Sequence, residues 1–493
     1  MNSTTEDRYS RTLLNRRRAG ILLHPTSLPG GDRNGTLGED AFRFVDLLAK
    51  CGISVWQTLP LGPTHDDLSP YQCLSVHAGN PNLIDCQRLV QWGWLDAQST
   101  SERKLWLAQA YAGFSRTATV ADRADLETFV QQQSHWLHDY ALYLALHRET
   151  SGRPWWLWSE ALRDREPGAL AQARQRLAPQ IEQVCFEQFV FFRQWLELRR
   201  HAAHNGVLLF GDMPIFVAHD SADVWTHRRY FCLDSDGQPR VVAGVPPDYF
   251  SETGQRWGNP LYDWAEMQAD GFRWWRERMR TQLMLFDIVR IDHFRGFEAF
   301  WEIPAHEPTA VGGRWVAAPG DALFSELRAE FGPLPLVAED LGLITQEVHA
   351  LRQKYSLPGM RVLQFAFEGG ADNSYLPHHY DRHTVVYTGT HDNDTTVSWY
   401  ESVSARAQSY VRDYLGRPTD SMPWPLIRAA LASVANLAML PMQDVLALGA
   451  GHRMNMPGTS NGNWRWRFGW EQLTTDAVAL LHHLVILYGR AAQ

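Results

Sequence analysis

The sequence predicts an α/β fold: a parallel sheet closed into a (β/α)8 barrel, with segments inserted in the loops after its strands and no C-terminal β-sandwich. Three observations point there. Short apolar runs alternate with helical stretches along all 493 residues. Eight such runs occur, and parallel strands covered on both faces read as continuous apolar runs. Seven of the eight end at a polar residue, which in such barrels gathers side chains at one mouth.

The first run, Gly20–Leu23, ends at His24. Glu39–Lys50 follows, with Phe42, Val45, Leu48 and Ala49 at helical spacing and Gly52 as its stop. The second run, Ile53–Leu59, ends at Pro60. Residues 62–204 read as a largely helical insertion after strand 2, clearest in Tyr140–His147 and Phe186–Arg199. The third run, Val207–Phe210, ends at Gly211-Asp212, and 216–264, rich in Gly and Pro, reads as a loop insertion over the strand ends. Helix Phe272–Leu285 leads into the fourth run, Ile288–Asp292. The fifth, Leu334–Ala338, ends at Glu339-Asp340, and Thr345–Lys354 is helical. The sixth, Met360–Leu363, ends at Gln364. The seventh, Thr384–Tyr387, runs on to His391-Asp392. Helix Leu426–Leu437 precedes the eighth, Ala438–Met442, which ends at Gln443-Asp444, and the last helix is Thr475–Tyr488. Residues 1–493 thus read as a single TIM-type barrel. A doubly wound open sheet is the competing architecture. It wants a glycine-rich first turn, and Gly30-Gly31 with Gly35 and Gly38 does not follow the first run at that spacing.

Composition narrows the partners. The net charge is −9, and the only basic run is Arg16–Arg18, so nucleic acid is not expected. Five scattered cysteines without C-x-x-C spacing favour reduced thiols in a cytoplasmic protein. Ala19–Leu23 is too short for a secretory core, which leaves the acceptor pattern Asn2-Ser3-Thr4 without meaning. No apolar run reaches membrane length, and Ala477–Tyr488 carries His482 and His483 on its polar side. The 21 tryptophans cluster, as in Trp155-Trp156-Leu157-Trp158, Trp274-Trp275 and Trp464-Arg465-Trp466. Most should anchor cores, and a minority suit flat ligands such as sugar rings. Asp234-Ser235-Asp236-Gly237 opens like a calcium loop but lacks the closing acid, so it reads as a turn. His378–His383 has no further ligand set, and no metal or cofactor is expected.

The fourth run carries the chemistry. In a strand Arg290 and Asp292 share a face, and a fixed guanidinium keeps a neighbouring carboxylate ionised and aimed. Asp292 is therefore a candidate nucleophile; a structural ion pair in the barrel wall is the alternative. Glu339 ends an apolar run, where desolvation raises its proton affinity and suits it to acid work. One protonated acid and one ionised carboxylate are the parts for breaking a glycosidic bond, with retention of configuration if they stand about 5–5.5 Å apart. Asp392 and His391 could bind the sugar hydroxyls beside the reacting carbon, although Asp392 also reads as a helix N-cap.

The segments Arg290-Ile291-Asp292-His293-Phe294-Arg295-Gly296, Ala338-Glu339-Asp340-Leu341-Gly342 and Gly389-Thr390-His391-Asp392-Asn393-Asp394 resemble signatures of the amylomaltases. These are the 4-α-glucanotransferases, or disproportionating enzymes, of glycoside hydrolase family 77. Ala243–Phe250 with Gln255–Pro260 is similar to that family's loop over the donor sugars, and Asn455–Thr459 to its second, mobile loop. Ser69-Pro70-Tyr71 also fits. The likeness covers Gly20 to about Phe468. It departs at Gly31-Asp32-Arg33-Asn34-Gly35-Thr36, which is more polar than the family's turn. The resemblance implies Asp292 as nucleophile, Glu339 as acid/base and Asp392 as transition-state stabiliser. It implies Arg290, His293, His391 and Asp212 positioning the sugar, Tyr71, Asp248 and Trp257 lining the glucan channel, and Asn455 binding substrate from the second loop. The implied partners are maltooligosaccharides and α-1,4-glucans, with no cofactor. Hydrolysis of the same glucans on the same barrel is the alternative activity, and an inactive glucan-binding barrel would need a missing carboxylate.

Overall fold

Eight parallel strands form the centre of the computed structural model, which describes residues 14–30, 34–97, 103–248, 251–459 and 461–492. They are β1 Arg18–Leu22, β2 Val55–Gln57, β3 Leu208–Pro214, β4 Ile288–Asp292, β5 Leu336–Ala338, β6 Gly359–Val362, β7 Thr384–Tyr387 and β8 Leu437–Pro441. Each of β1 to β4 pairs with the next, β6 with β7, β7 with β8, and β8 with β1. The remaining seam, β5 to β6, is closed by the Ala338 N–H donating to Pro358 O at 2.9 Å. Beside it the Met360 N–H donates to Asp340 Oδ1 at 2.7 Å. A buried carboxylate thus stands in for the carbonyl that the three-residue β5 is too short to supply. This closure decides for the barrel over the open sheet.

The interior is packed rather than hollow. Val55, Phe210, Ile288, Val337, Met360, Val385, Tyr387 and Met439 form one buried cluster inside the strands. Gly20 belongs here for a steric reason. A Cβ on it would lie 2.4 Å from Met439 Sδ and 2.9 Å from Val55 Cβ. Outside, helices such as Glu39–Lys50, Arg273–Leu285, Gly320–Phe331, Gln346–Lys354 and Thr475–Leu487 bury their apolar faces. The 27-residue helix Ala178–His204 buries Phe186, Phe189, Trp195 and Leu198 and leads straight into β3. It is both the barrel's helix and the spine on which Leu137–Glu149 and its neighbours pack. Trp155 and Trp158 are buried anchors of that region.

At the N-terminal end of the barrel Arg490 is fully buried. It donates to the carbonyls of Leu431 (2.7 Å), Arg18 (2.9 Å), Ala435 (2.8 Å), Ser433 (3.1 Å) and Asn436 (3.2 Å), tying the start of β1 to the approach to β8.

Three boundaries differ from the sequence reading. Helix Trp424–Ala432 stops short of Leu437, because Ser433 turns extended and Leu437 already pairs in β8. Apolar periodicity does not separate a helix end from the strand after it. Strand β3 runs on through Gly211-Asp212 to Pro214, and Asp212 sits opposite Arg290 in register. Strand β2 ends at Gln57, so a polar residue closes this strand as well. Beyond the barrel, a four-stranded antiparallel sheet was not foreseen. Val241–Val245 pairs on one side with Gln255–Pro260 and on the other with Ala299–Pro304, which pairs with Arg314–Ala317. Two of its strands follow β3 and two follow β4. Asn2-Ser3-Thr4, Gly31-Asp32-Arg33 and Tyr249-Phe250 lie outside the described residues.

Candidate active site

The C-terminal end of β4 places Arg290 at the centre of a charge network. Its Nη1 donates to both oxygens of Asp212, at 2.8 and 2.7 Å, and its Nη2 forms an ion pair with Asp292 Oδ1 at 2.8 Å. The strand register makes the first contact, since Asp212 and Arg290 are cross-strand partners; the two-residue repeat makes the second. Arg290 and Asp212 are buried, whereas the Asp292 side chain is 30% exposed. Tyr71 donates its hydroxyl to Asp212 Oδ2 at 2.7 Å. Asp212, its side chain wholly buried, therefore lies beneath Tyr71 and Arg290 and holds both in place.

Glu339 follows β5 and lies half-buried beside this network. The His293 N–H donates to its Oε2 at 2.7 Å and the Leu341 N–H to its Oε1 at 3.0 Å. Burial raises the Glu339 carboxyl from an ordinary 4.5 to about 7; Arg290 and the two N–H donors oppose the rise, and the Asp292 charge adds to it. His293 turns out of β4 in the left-handed region, with φ 52°, and so aims its N–H at Glu339. Its ring stands edge-on to Trp257, with centroids 4.9 Å apart. Burial pushes the imidazole down to about 4, which leaves it neutral at pH 7.

Asp392 stands on the loop after β7 with its side chain 45% exposed. Its Oδ1 accepts from Asn455 Nδ2 at 2.6 Å, and its Oδ2 lies 3.4 Å from His391 Nε2. The helix Thr396–Ser402 takes its N-cap from Thr395, which accepts the Ser398 N–H, so Asp392 is not the cap. His391 stacks on Tyr71, centroids 5.2 Å apart with planes 15° from parallel. Tyr71 thereby links the Asp212–Arg290–Asp292 group to the Asp392 group. Asp248 is exposed, and its Oδ1 accepts the Ser251 N–H at 2.9 Å in a local turn.

Four residues escaped the sequence reading as parts of the site. Trp464 lies 5.8 Å from Tyr71 and 6.0 Å from His391, ring to ring. It is one of many tryptophans, and only the fold selects it. Tyr387 donates to Gln57 Oε1 at 2.9 Å inside the barrel mouth; a lone Gln within an apolar run was the available signal. His24, at the end of β1, is pushed down to about 3 by burial and by His391. Among the described residues no group of three or more His, Cys, Asp or Glu is placed to hold a metal ion. Asp234–Gly237 forms a turn closed by the Asp234 N–H to Gln238 O at 2.8 Å. Among the described residues no helix is long and apolar enough to cross a membrane.

A (β/α)8 barrel with carboxylates gathered at the C-terminal ends of β4, β5 and β7 defines a class of enzymes acting on sugars. Comparison with known proteins narrows that class. A family model described as 4-alpha-glucanotransferase, glycoside hydrolase family 77, matches residues 23–473. The chain is 49% identical to the 4-alpha-glucanotransferase of Thermus thermophilus over 91% of its own length and 94% of that protein's. It is 47% identical to that of Synechocystis sp., with 97% and 99% covered. The solved amylomaltase of Streptococcus agalactiae in complex with acarbose superposes with a TM-score of 0.93 at 36% identity, covering 97% of this chain and 100% of that one. The chain belongs to glycoside hydrolase family 77, the 4-α-glucanotransferases.

Proposed function

We propose that the protein moves a segment of a 1,4-α-D-glucan onto the 4-hydroxyl of an acceptor glucose or glucan by retaining double displacement. Maltooligosaccharides and α-1,4-glucans are its substrates. Asp292 is the nucleophile, paired with and oriented by Arg290. Glu339, in its protonated form, donates its proton to the leaving glycosidic oxygen as Asp292 attacks the anomeric carbon. The acceptor 4-hydroxyl then displaces Asp292 while Glu339 takes back the proton, as microscopic reversibility requires. Asp392 stabilises the oxocarbenium-like transition state. His293 and His391 hold the sugar, Tyr71 and Trp257 line its path, and Asp248 lies further out on the same loop.

One observation carries this reading: Arg290 pairs with Asp292 at 2.8 Å beside a Glu339 raised to about 7, so an ion-paired carboxylate and a carboxyl that keeps its proton toward neutral pH stand side by side. Insertions 62–204 and 216–264 would shield the site, the second by bringing Trp257 over His293. A cytoplasmic location accompanies the reading, and five free cysteines are in keeping with it.

Incubation with maltotriose tests the proposal. Transfer yields a ladder of longer glucans together with glucose. Shortening alone, with reducing ends rising in step, would mean hydrolysis and refute the transferase reading.

A further inference from the structure

The Asp392 carboxylate accepts a hydrogen bond from outside its own loop. The segment 453–456, far away in sequence, is stitched to it. The Asn455 N–H donates to His391 O at 3.1 Å, and Asn455 Nδ2 to Asp392 Oδ1 at 2.6 Å. Arg453 Nη2 donates to Asp392 O at 2.7 Å while its Nε reaches Asn455 O at 3.2 Å. Asp392 needs this support. Its side chain is 45% exposed, and its other neighbour, His391 Nε2, is 3.4 Å away, at the outer edge of hydrogen bonding. A half-exposed carboxylate free to rotate does not hold the aim that transition-state stabilisation demands.

From the far side the same segment is anchored by the Trp464 N–H donating to Met454 O at 2.7 Å. The Met456 N–H donates to Asn463 Oδ1 at 3.0 Å. Met456 is 48% exposed, and Trp464 lies against Tyr71 and His391.

We propose that Asn455 is a positioning residue that aims the Asp392 carboxylate, so that the seating of the 453–455 segment and the orientation of Asp392 are a single variable. The family likeness implies Asn455 as a sugar contact; the geometry commits one of its two amide hydrogens to Asp392 instead. The inference rests on Asp392 as the stabiliser.

Three variants test it, with kcat and KM measured for maltotriose and for a longer maltooligosaccharide. Asn455→Ala should lower kcat by roughly 10–100-fold, the usual effect of losing such an orienting partner, while KM for maltotriose changes little. Asn455→Asp sets a second carboxylate against Asp392. Its kcat should fall further at pH 7 and recover in part toward pH 5, where one of the two protonates, which a purely structural role would not produce. If Asn455→Ala fails to fold, Asn455→Asp and its pH profile carry the test. A raised KM with unchanged kcat would make Asn455 a sugar contact and overturn the proposal, as would an Asn455→Asp profile parallel to the wild type. Asp392→Asn separates the two readings. If it is inactive while Asn455→Ala is normal, only the positioning role fails. If Asp392→Asn is itself fully active, the stabiliser reading fails first.

Discussion

Replacing Asp292 by Asn should change the titration of a different residue, Glu339. Burial raises the Glu339 carboxyl to about 7, and the Asp292 charge adds to that rise against the pull of Arg290. Two unit charges about 5 Å apart, the separation of a retaining pair, interact by roughly 3 kcal/mol at an effective dielectric near 20. Asp292→Asn removes that repulsion. Arg290, released from Asp292, turns more of its charge on Glu339. The Glu339 titration should fall by about one to two pH units. The variant should not turn over, so the assay is direct: carboxyl-labelled glutamate followed by carbon NMR, with Glu339→Gln assigning the resonance. The wild type offers a kinetic counterpart. Glu339 must be protonated to act, so kcat/KM should decline as pH rises through about 7. Stability carries the same sign. A carboxyl raised from 4.5 to about 7 on folding favours the folded state below pH 4.5 and loses that contribution as pH rises through 7, about 3 kcal/mol in all. Glu339→Gln cannot titrate and should not show that loss. A Glu339 midpoint unmoved in Asp292→Asn would mean that the two carboxylates do not share one site, and the double-displacement argument would fall with it.

Two further outcomes follow from packing. Gly20→Val should destabilise the barrel by about 2–3 kcal/mol in a denaturant titration, because its Cβ would meet Met439 Sδ at 2.4 Å inside a closed wall. Met439→Ala should recover part of that loss in the double variant, whereas additive losses would contradict the clash. Arg490→Leu strips the donor from the carbonyls of Ala435 and Arg18, each costing about 1–3 kcal/mol when left unpaired, while Leu431 O keeps Arg17 Nη2 at 3.0 Å. The same titration should show a loss of several kcal/mol, and a change below about 1 kcal/mol would disprove the role given to this residue.

Much of the architecture was legible because a parallel barrel strand is covered on both sides and so writes itself as an unbroken apolar run. The nucleophile candidate was legible for a related reason: Arg290 and Asp292 interrupt such a run at the two-residue spacing that puts them on one face. What escaped depends on distant pairing. Asp212 looked like a residue beyond its strand because Gly211-Asp212 resembles a turn, yet β3 continues past it to place it opposite Arg290. The antiparallel sheet escaped because its two halves are separated by β4. Trp464 escaped because aromatic residues that anchor a core and those that face a ligand look alike until the chain is folded. The expected helix through Leu437 misread a continuous apolar stretch whose break, at Ser433, is set by backbone conformation.

The Arg490 knot bears on how the molecule is made. The carbonyl of Arg18 emerges from the ribosome hundreds of residues before the guanidinium that will hold it. Until then the first stave waits with one edge bare, and the ring can shut only once β8 and Arg490 have been made. A chain stalled between the two would carry every stave and still lack its clasp.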